Sequence, residues 1–106
     1  MPKYLTRSSL TPEAVKGTLK EGGTARRAAI ERLAESVGMR LEAFYYAFGE
    51  DDVYAIIDAP DNVTAASSSM AINATGTSHV KTIVLITPEE MDEVSKRRAE
   101  YRPPGE

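Results

Sequence analysis

The stretch of residues 39–58 (MRLEAFYYAFGEDDVYAIID) constrains the fold more than any other part of this chain. Two apolar runs flank residues 49–52, where a glycine followed by three acidic residues is typical of a turn, so the pattern predicts a β-hairpin. Successive side chains of a strand point to opposite faces of a sheet, and here both faces are apolar. A sheet with one wet face would alternate apolar and polar residues. Something else must therefore cover each face of this hairpin.

Simple alternation assigns the side chains of the hairpin to its two faces. The first strand is predicted to carry Leu41, Ala43, Tyr45 and Ala47 on one face and Phe44, Tyr46 and Phe48 on the other. The return strand carries Val53, Ala55 and Ile57 on one face and Tyr54 and Ile56 on the other. The tyrosines form an aromatic patch, which is either the wall of a ligand cleft or, more commonly, a core or a subunit interface.

The first third of the chain predicts one strand and one interrupted helical region. Residues 4–9 form a short, rather polar strand candidate. Residues 11–13 (Thr-Pro-Glu) then start a helix, because they supply a hydroxyl N-cap, a proline at the first helical position and an acid in the first turn. The glycines at residues 22–23 predict a kink, with Thr24 as the cap of the second segment and Gly38 as its end.

The chain after the hairpin predicts a helix, a strand and a second helix. The helix covers residues 62–75, has small side chains, and is expected to begin at an Asp61 cap and to end at Gly76. The strand covers residues 79–86 and is apolar on both faces. The last helix covers residues 87–98 and begins with the hydroxyl-x-x-acid spacing of a capping box.

The predicted order β-α-β-β-α-β-α indicates a single α+β domain over residues 1–106. Its first six elements form the ferredoxin-like βαββαβ arrangement, with a four-stranded antiparallel sheet, and the last helix is an addition to it. Right-handed crossovers place both main helices on one face of the sheet. The other face is also apolar. The simplest cover is a second subunit laid sheet against sheet, as in a dimeric α+β barrel, and the alternative is that the C-terminal helix folds back over it.

Two further features favour a homodimer or a higher homo-oligomer. The strand within residues 39–48 is expected at a sheet edge, and a long apolar edge strand invites pairing with another chain. Residues 101–105 (YRPPG) cannot be helical, so they must run extended or turn, and they are candidates to cross onto the partner.

Composition excludes several classes of function. The formal charge of −3, from 13 basic and 16 acidic residues, argues against nucleic acid or an anionic membrane as the main partner. No apolar run approaches the ~20 residues that span a bilayer. The start of the chain lacks the apolar core of a signal peptide, and there is no cysteine, so we expect a cytoplasmic protein. No glycine-rich fingerprint of a nucleotide cofactor appears, and we predict no cofactor.

The clearest candidate for a binding site follows the glycines at residues 22–23. Flexible backbone, free amide groups and the guanidinium groups of Arg26 and Arg27 make a plausible anion site. Arg26 lies on the apolar stripe of its helix, so its side chain is expected to point inward or toward an interface. The alternative is a helix kink whose arginines pair with Glu21 or Glu31, or lie in solvent. The spacing is not that of a phosphate-binding loop.

Other polar groups carry weaker signals. The acids at residues 50–52 can bind a hard cation, but three acids in a tight turn are more often solvated. With one histidine and no cysteine, a zinc or redox-metal site has little to build from, and we predict no metal. His79 can act as a general base, although no carboxylate partner is fixed beside it. The candidate ligand-binding residues are Arg26, Arg27, Tyr45, Tyr46 and His79, and no catalytic residue is assigned.

Short segments along nearly the whole chain resemble GYD-domain proteins. They are Tyr4-Leu5, Thr11-Pro12-Glu13, Val15-Lys16-Gly17, Lys20-Glu21-Gly22-Gly23, Ala25-Arg26-Arg27, Leu41-Glu42-Ala43-Phe44-Tyr45, Phe48-Gly49, Asp52-Val53-Tyr54, Pro60-Asp61-Asn62 and Tyr101-Arg102-Pro103-Pro104-Gly105. The resemblance implies a ferredoxin-like fold of the dimeric barrel type, and it implies no activity or catalytic residue. Many members have Gly-x-Tyr-Asp at the hairpin turn. Gly49 and Asp52 match it, but Asp51 stands in place of the tyrosine.

Three classes of function remain open from the sequence. The first is an oligomeric module that binds a small molecule or anion between the sheet and the helices. The second is a cofactor-independent enzyme, of the monooxygenase or isomerase type, which rests on analogy of fold alone. The third is a purely structural or protein-interaction role. A polar group facing into an apolar cleft would favour the first two, and a fully packed interior would favour the third.

Overall fold

The computed structural model describes residues 1–106 as four strands and four helices in the predicted order. They are β1 (Lys3–Leu10), α1 (Pro12–Glu21), α2 (Gly23–Ser36), β2 (Arg40–Tyr46), β3 (Val53–Asp58), α3 (Asn62–Ala74), β4 (Ser78–Leu85) and α4 (Pro88–Lys96). The strands form one antiparallel sheet in the order β2-β3-β1-β4. The ferredoxin-like α+β fold with an added C-terminal helix is therefore confirmed, and β2 lies at a sheet edge as predicted.

Three helix starts form as the sequence predicts, because a side chain satisfies an amide group that the first turn leaves free. The hydroxyl of Thr11 accepts from the backbone of Ala14 at 3.3 Å, and Asp61 accepts from Thr64 at 2.8 Å. Thr87 and Glu90 form the predicted capping box. These caps set where α1, α3 and α4 begin.

The break between α1 and α2 is confirmed, but the predicted Thr24 cap is wrong. The chain turns at Gly22, whose φ of +92° is a conformation that L side chains rarely adopt, and α2 already begins at Gly23 without any side-chain cap. Gly38, with φ +77°, lies just past the end of α2 as predicted.

The core packs the helices against one face of the sheet, near the start of β1 and the end of β3. Its buried apolar side chains are Tyr4, Ala34, Met39, Ile57, Ala59 and Ala65, with Leu41 packed against them. The predicted face of Leu41 is therefore wrong. A register shift between Leu41 and Ala43 adds one unopposed residue to β2, so Leu41 shares the helix-covered face with Phe44 and Tyr46.

The expectation that the three acids of the turn at residues 50–52 are simply solvated is wrong. The side chain of Asp51 is only 1% exposed, and its carboxylate lies 3.1 Å from Lys81 Nζ and 3.7 Å from Arg7 Nε. The next residue, Asp52, accepts a hydrogen bond from the backbone of Leu10 at 2.8 Å. The loop between β2 and β3 therefore folds back over β1 and β4, and these two acids fasten it there.

The face of the sheet opposite α1–α3, called the open face below, is covered by the rest of the chain only at one end, where the hairpin turn meets Arg7 and Lys81. The alternative in which α4 folds back over it is wrong, because α4 has no buried residue and both Met91 and Val94 remain about half exposed. The radius of gyration is 16.9 Å, above the roughly 13 Å of a compact chain of this length. None of the helices has the length and apolar character to cross a membrane.

Candidate functional site

A cavity of about 440 Å³ lies between the sheet and helices α1, α2 and α3. It exists because the facing side chains are small. They are Ala14 and Gly17 on α1, Ala29 on α2, Ser68 and Ser69 on α3, and Thr6 and Ser8 on β1. No residue of α1 is buried, so this helix stands away from the sheet and leaves the space unfilled.

The walls of the cavity are mainly apolar. Hydrophobic residues make up 14 of the 25 that line it. Ile30 and Leu33 project from α2, while Phe44, Val53 and Ala55 come from the two strands below that helix. Such walls favour a ligand with a substantial apolar part.

Hydroxyl groups on the floor of the cavity add a polar element. On the α3 side, Ser69 lines the cavity and shares a hydrogen bond of 2.8 Å with Thr82 of β4, while Ser68 donates to the carbonyl of Ala65 at 2.9 Å. Thr6 and Ser8, on the central strand β1, line the cavity and their hydroxyls make no hydrogen bond within the chain. They can therefore donate to or accept from a bound molecule.

The charged groups of the cavity gather where α1 meets α2. Arg26 Nη1 lies 3.6 Å from Glu21 Oε2, and both residues line the cavity. Beside them, the Tyr46 hydroxyl donates to the carbonyl of Gly23 at 3.1 Å, and the Tyr46 ring meets Phe44 edge to face at 5.3 Å. Burial raises the pKa of Tyr46 above its ordinary value, and the charges of Arg26 and a second arginine only partly oppose this. The phenol therefore stays protonated at neutral pH.

The five candidate residues do not form one site. Arg26 and Tyr46 come together at the cavity, as described above. Arg27 and Tyr45 line a separate depression beside the edge strand β2. His79 is exposed on β4, and because its neighbour Val80 faces the cavity, His79 projects from the open face.

In the structure the two arginines face glutamates, which is the alternative that the sequence left open. Arg26 faces Glu21, and Arg27 Nε lies 3.6 Å from Glu31 Oε1 one turn further along α2. The expectation that Arg26 points inward is also met, since Arg26 lines the cavity and Arg27 does not.

Sequence reasoning missed the hydroxyl floor and the glycine that faces it. The signal was available in β1, where Tyr4 begins a row of inward positions that continues with Thr6 and Ser8. Polar residues at inward positions of a central strand indicate a space rather than a packed core. Gly17, in the middle of α1, was a second signal, because glycine weakens a helix unless its small size is needed.

No group of three or more histidine, aspartate or glutamate side chains converges in the structure, so no metal site is assigned. The lining also contains no histidine, and its ionisable side chains are Glu21, Arg26 and Tyr46. The cavity therefore has the character of a site for an organic molecule held by apolar contacts and a few polar groups.

A family model described as the GYD domain matches residues 4–94, which is most of the chain. No curated protein matches, and no solved structure matches.

Proposed function

This chain belongs to the GYD domain family, and we propose that it is an oligomeric module that binds a small, largely apolar molecule. The observation that carries this proposal is the cavity of about 440 Å³ between α1–α3 and the sheet. Its volume falls in the range of roughly 300–1,000 Å³ that is typical of small-molecule sites, and its apolar walls with few polar groups are also typical.

The incomplete packing of the interior supports binding over a purely structural role. A scaffold gains stability by filling its core, because empty space forfeits contacts between atoms. Here only 13 of the 106 residues are buried. Thr6 and Ser8 direct free hydroxyls into the space that a structural protein would fill with larger apolar side chains.

The residues of the cavity support binding without turnover. The charges of Glu21 and Arg26 face each other, the Tyr46 hydroxyl is engaged with a backbone carbonyl, and His79 lies on the opposite side of the sheet. The cavity contains no nucleophilic side chain next to a general base. Covalent catalysis needs that arrangement.

The open face supports the oligomeric part of the proposal, with a second copy of this chain as its cover. Its apolar strip is formed by Leu5, Ile56 and Ile83, which are incompletely buried. The charges at one end of the strip already neutralise one another, so a second sheet can approach without leaving them unpaired. These charged residues are Lys3, Arg40, Glu42 and Asp58.

A variant that fills the cavity tests the proposed function. Gly17 lines the cavity, and a Cβ added there meets no atom within 4 Å, so Gly17→Leu should project a side chain into this space. Leucine also has the better helix propensity, so the variant should fold. Lys16→Leu is the matched control, because it adds the same side chain at an exposed neighbouring position of α1.

Decanol serves as an uncharged probe, and its binding is measured by calorimetric titration. We expect decanol to bind the unaltered protein and Lys16→Leu alike, and to lose its affinity for Gly17→Leu. Binding to Gly17→Leu at full affinity, or no binding to the unaltered protein, would show that the cavity is not the site.

A further inference from the structure

The guanidinium group of Arg26 has unused hydrogen-bonding capacity at the edge of the cavity. Its side chain is 43% exposed, and the nearest carboxylate oxygen, from Glu21, lies 3.6 Å away. That distance is too long for an N–H···O hydrogen bond. The donors of this guanidinium group therefore have no protein acceptor, although they border a space large enough for a ligand.

Glu21 holds its position opposite Arg26 only loosely. Its side chain is 52% exposed and accepts no hydrogen bond from the guanidinium group. Exposed ion pairs of this kind contribute little to stability. A ligand carboxylate that forms two parallel N–H···O bonds with an arginine interacts more strongly, so it can displace Glu21 at small cost.

We propose that the cavity takes an amphipathic monoanion, whose carboxylate pairs with Arg26 in place of Glu21 and whose apolar body lies between α2 and the sheet. This inference rests on the proposed function, since it names the class of molecule that the same cavity holds.

The arrangement of α2 gives the apolar body a continuous path away from the charge. Ile30 follows Arg26 by four residues and Leu33 follows by seven, so the three side chains lie along one face of the helix. All three line the cavity, and Val53 and Ala55 face them from β3. A molecule with its charge at one end and its apolar part at the other matches this order of residues.

The neighbouring arginine provides a matched control. Arg27 is as close to Glu31 as Arg26 is to Glu21, at 3.6 Å, and both arginines are about half exposed. Arg27 does not line the cavity. A general effect of positive charge near α2 would involve both arginines, whereas a carboxylate seated in the cavity involves Arg26 alone.

The test compares decanoate with uncharged decanol in calorimetric titrations of the unaltered protein and of three variants. Arg26→Gln should weaken decanoate binding about tenfold or more, because it removes a charge-assisted hydrogen bond, and should weaken decanol binding much less. Arg27→Gln should change neither affinity. Glu21→Gln should tighten decanoate binding, since it removes the carboxylate that competes for Arg26.

The outcomes separate this inference from the proposed function. If decanol binds but decanoate affinity is the same in Arg26→Gln and the unaltered protein, the cavity is a binding site and the monoanion is the wrong class. Equal weakening by Arg26→Gln and Arg27→Gln would indicate a long-range charge effect and would also overturn the inference. If Arg26→Gln fails to fold, an unchanged decanoate affinity in Glu21→Gln would overturn it. Failure of decanol to bind the unaltered protein would overturn the proposed function itself.

Discussion

The ring of Tyr46 lies directly against the backbone of Gly23. Its hydroxyl donates to the Gly23 carbonyl at 3.1 Å, and a Cβ placed on Gly23 would stand only 2.9 Å from Tyr46 Cε2. The missing side chain of Gly23 therefore lets the end of β2 approach the start of α2. This contact forms one side of the cavity, beside Arg26.

The first prediction compares two glycine-to-alanine changes. Gly23→Ala should lower the free energy of unfolding by about 1–2 kcal/mol, because the new methyl group displaces the Tyr46 ring and its hydrogen bond. Gly17→Ala should raise it by about 0.5–1 kcal/mol, because its Cβ meets no atom within 4 Å and alanine has the better helix propensity. Urea unfolding measures both. A stabilising Gly23→Ala would contradict the close contact with Tyr46.

The second prediction concerns the buried carboxylate of the hairpin turn. Asp51→Asn should lower the free energy of unfolding by about 1–3 kcal/mol, because it leaves Arg7 and Lys81, which face each other in adjacent strands, without a balancing charge. Glu50→Gln is the control, and as a change at an exposed neighbour it should alter stability by less than about 0.5 kcal/mol. Equal effects of the two changes in thermal or urea unfolding would mean that the turn is simply solvated.

The third prediction is that the stability of the fold depends on pH through the ionisation of Asp58. The hydrogen bond from Lys3, assisted by Arg40, holds the pKa of Asp58 below its ordinary value of 3.8, although burial opposes this. Because the folded-state pKa is depressed, the stabilisation by ionised Asp58 is present above that ordinary value and is lost as the pH falls through the folded-state pKa.

Stability curves of the unaltered protein and of Asp58→Asn test this dependence. The unaltered protein should be more stable than Asp58→Asn at pH 7. The difference in free energy of unfolding between these two proteins should shrink as the solution becomes strongly acidic. Asp92→Asn, at an exposed acid of α4, is the control and should track the unaltered protein throughout. If the free energies of unfolding of Asp58→Asn and the unaltered protein differ by the same amount down to low pH, the ionised Asp58 carboxylate is not the cause of the difference.

The fourth prediction concerns assembly through the open face. Sedimentation of the unaltered protein at micromolar concentration should give a dimer or a larger species, whose interface buries more than about 1,000 Å². Ile56→Lys places a charge in the middle of the open face and should give a monomer that remains folded. Leu19→Lys, on an exposed position of α1, should leave the assembly unchanged. A monomeric unaltered protein would contradict the oligomeric part of the proposal.

Local signals in the sequence were sufficient for the frame of the fold. The caps at Thr11, Asp61 and Thr87 depend on residues only three positions apart, and the breaks at Gly22 and Gly38 depend on a backbone conformation that glycine adopts readily. Such features can be inferred without knowing where distant segments lie. The order of the strands then follows from the rules of chain connection.

The features that sequence reasoning missed depend on distant contacts. Asp51 is buried because Arg7 and Lys81 arrive from other strands, and the face of Leu41 changes because β2 has one residue more than its partner at that point. The cavity is a property of three helices and the sheet together. Arg26 and Tyr46 are two of the five candidates chosen from the sequence, and only the fold shows that they line the cavity while His79 projects from the open face.

The most direct test of the central account is a crystal structure of the protein with bound decanoate that carries a terminal bromine. The account predicts anomalous density for bromine in the cavity between α2 and β3, with the carboxylate within about 3 Å of the Arg26 guanidinium group and Glu21 turned away. Bromine density elsewhere on the molecule, or a cavity closed by rearranged side chains with no ligand inside, would contradict it.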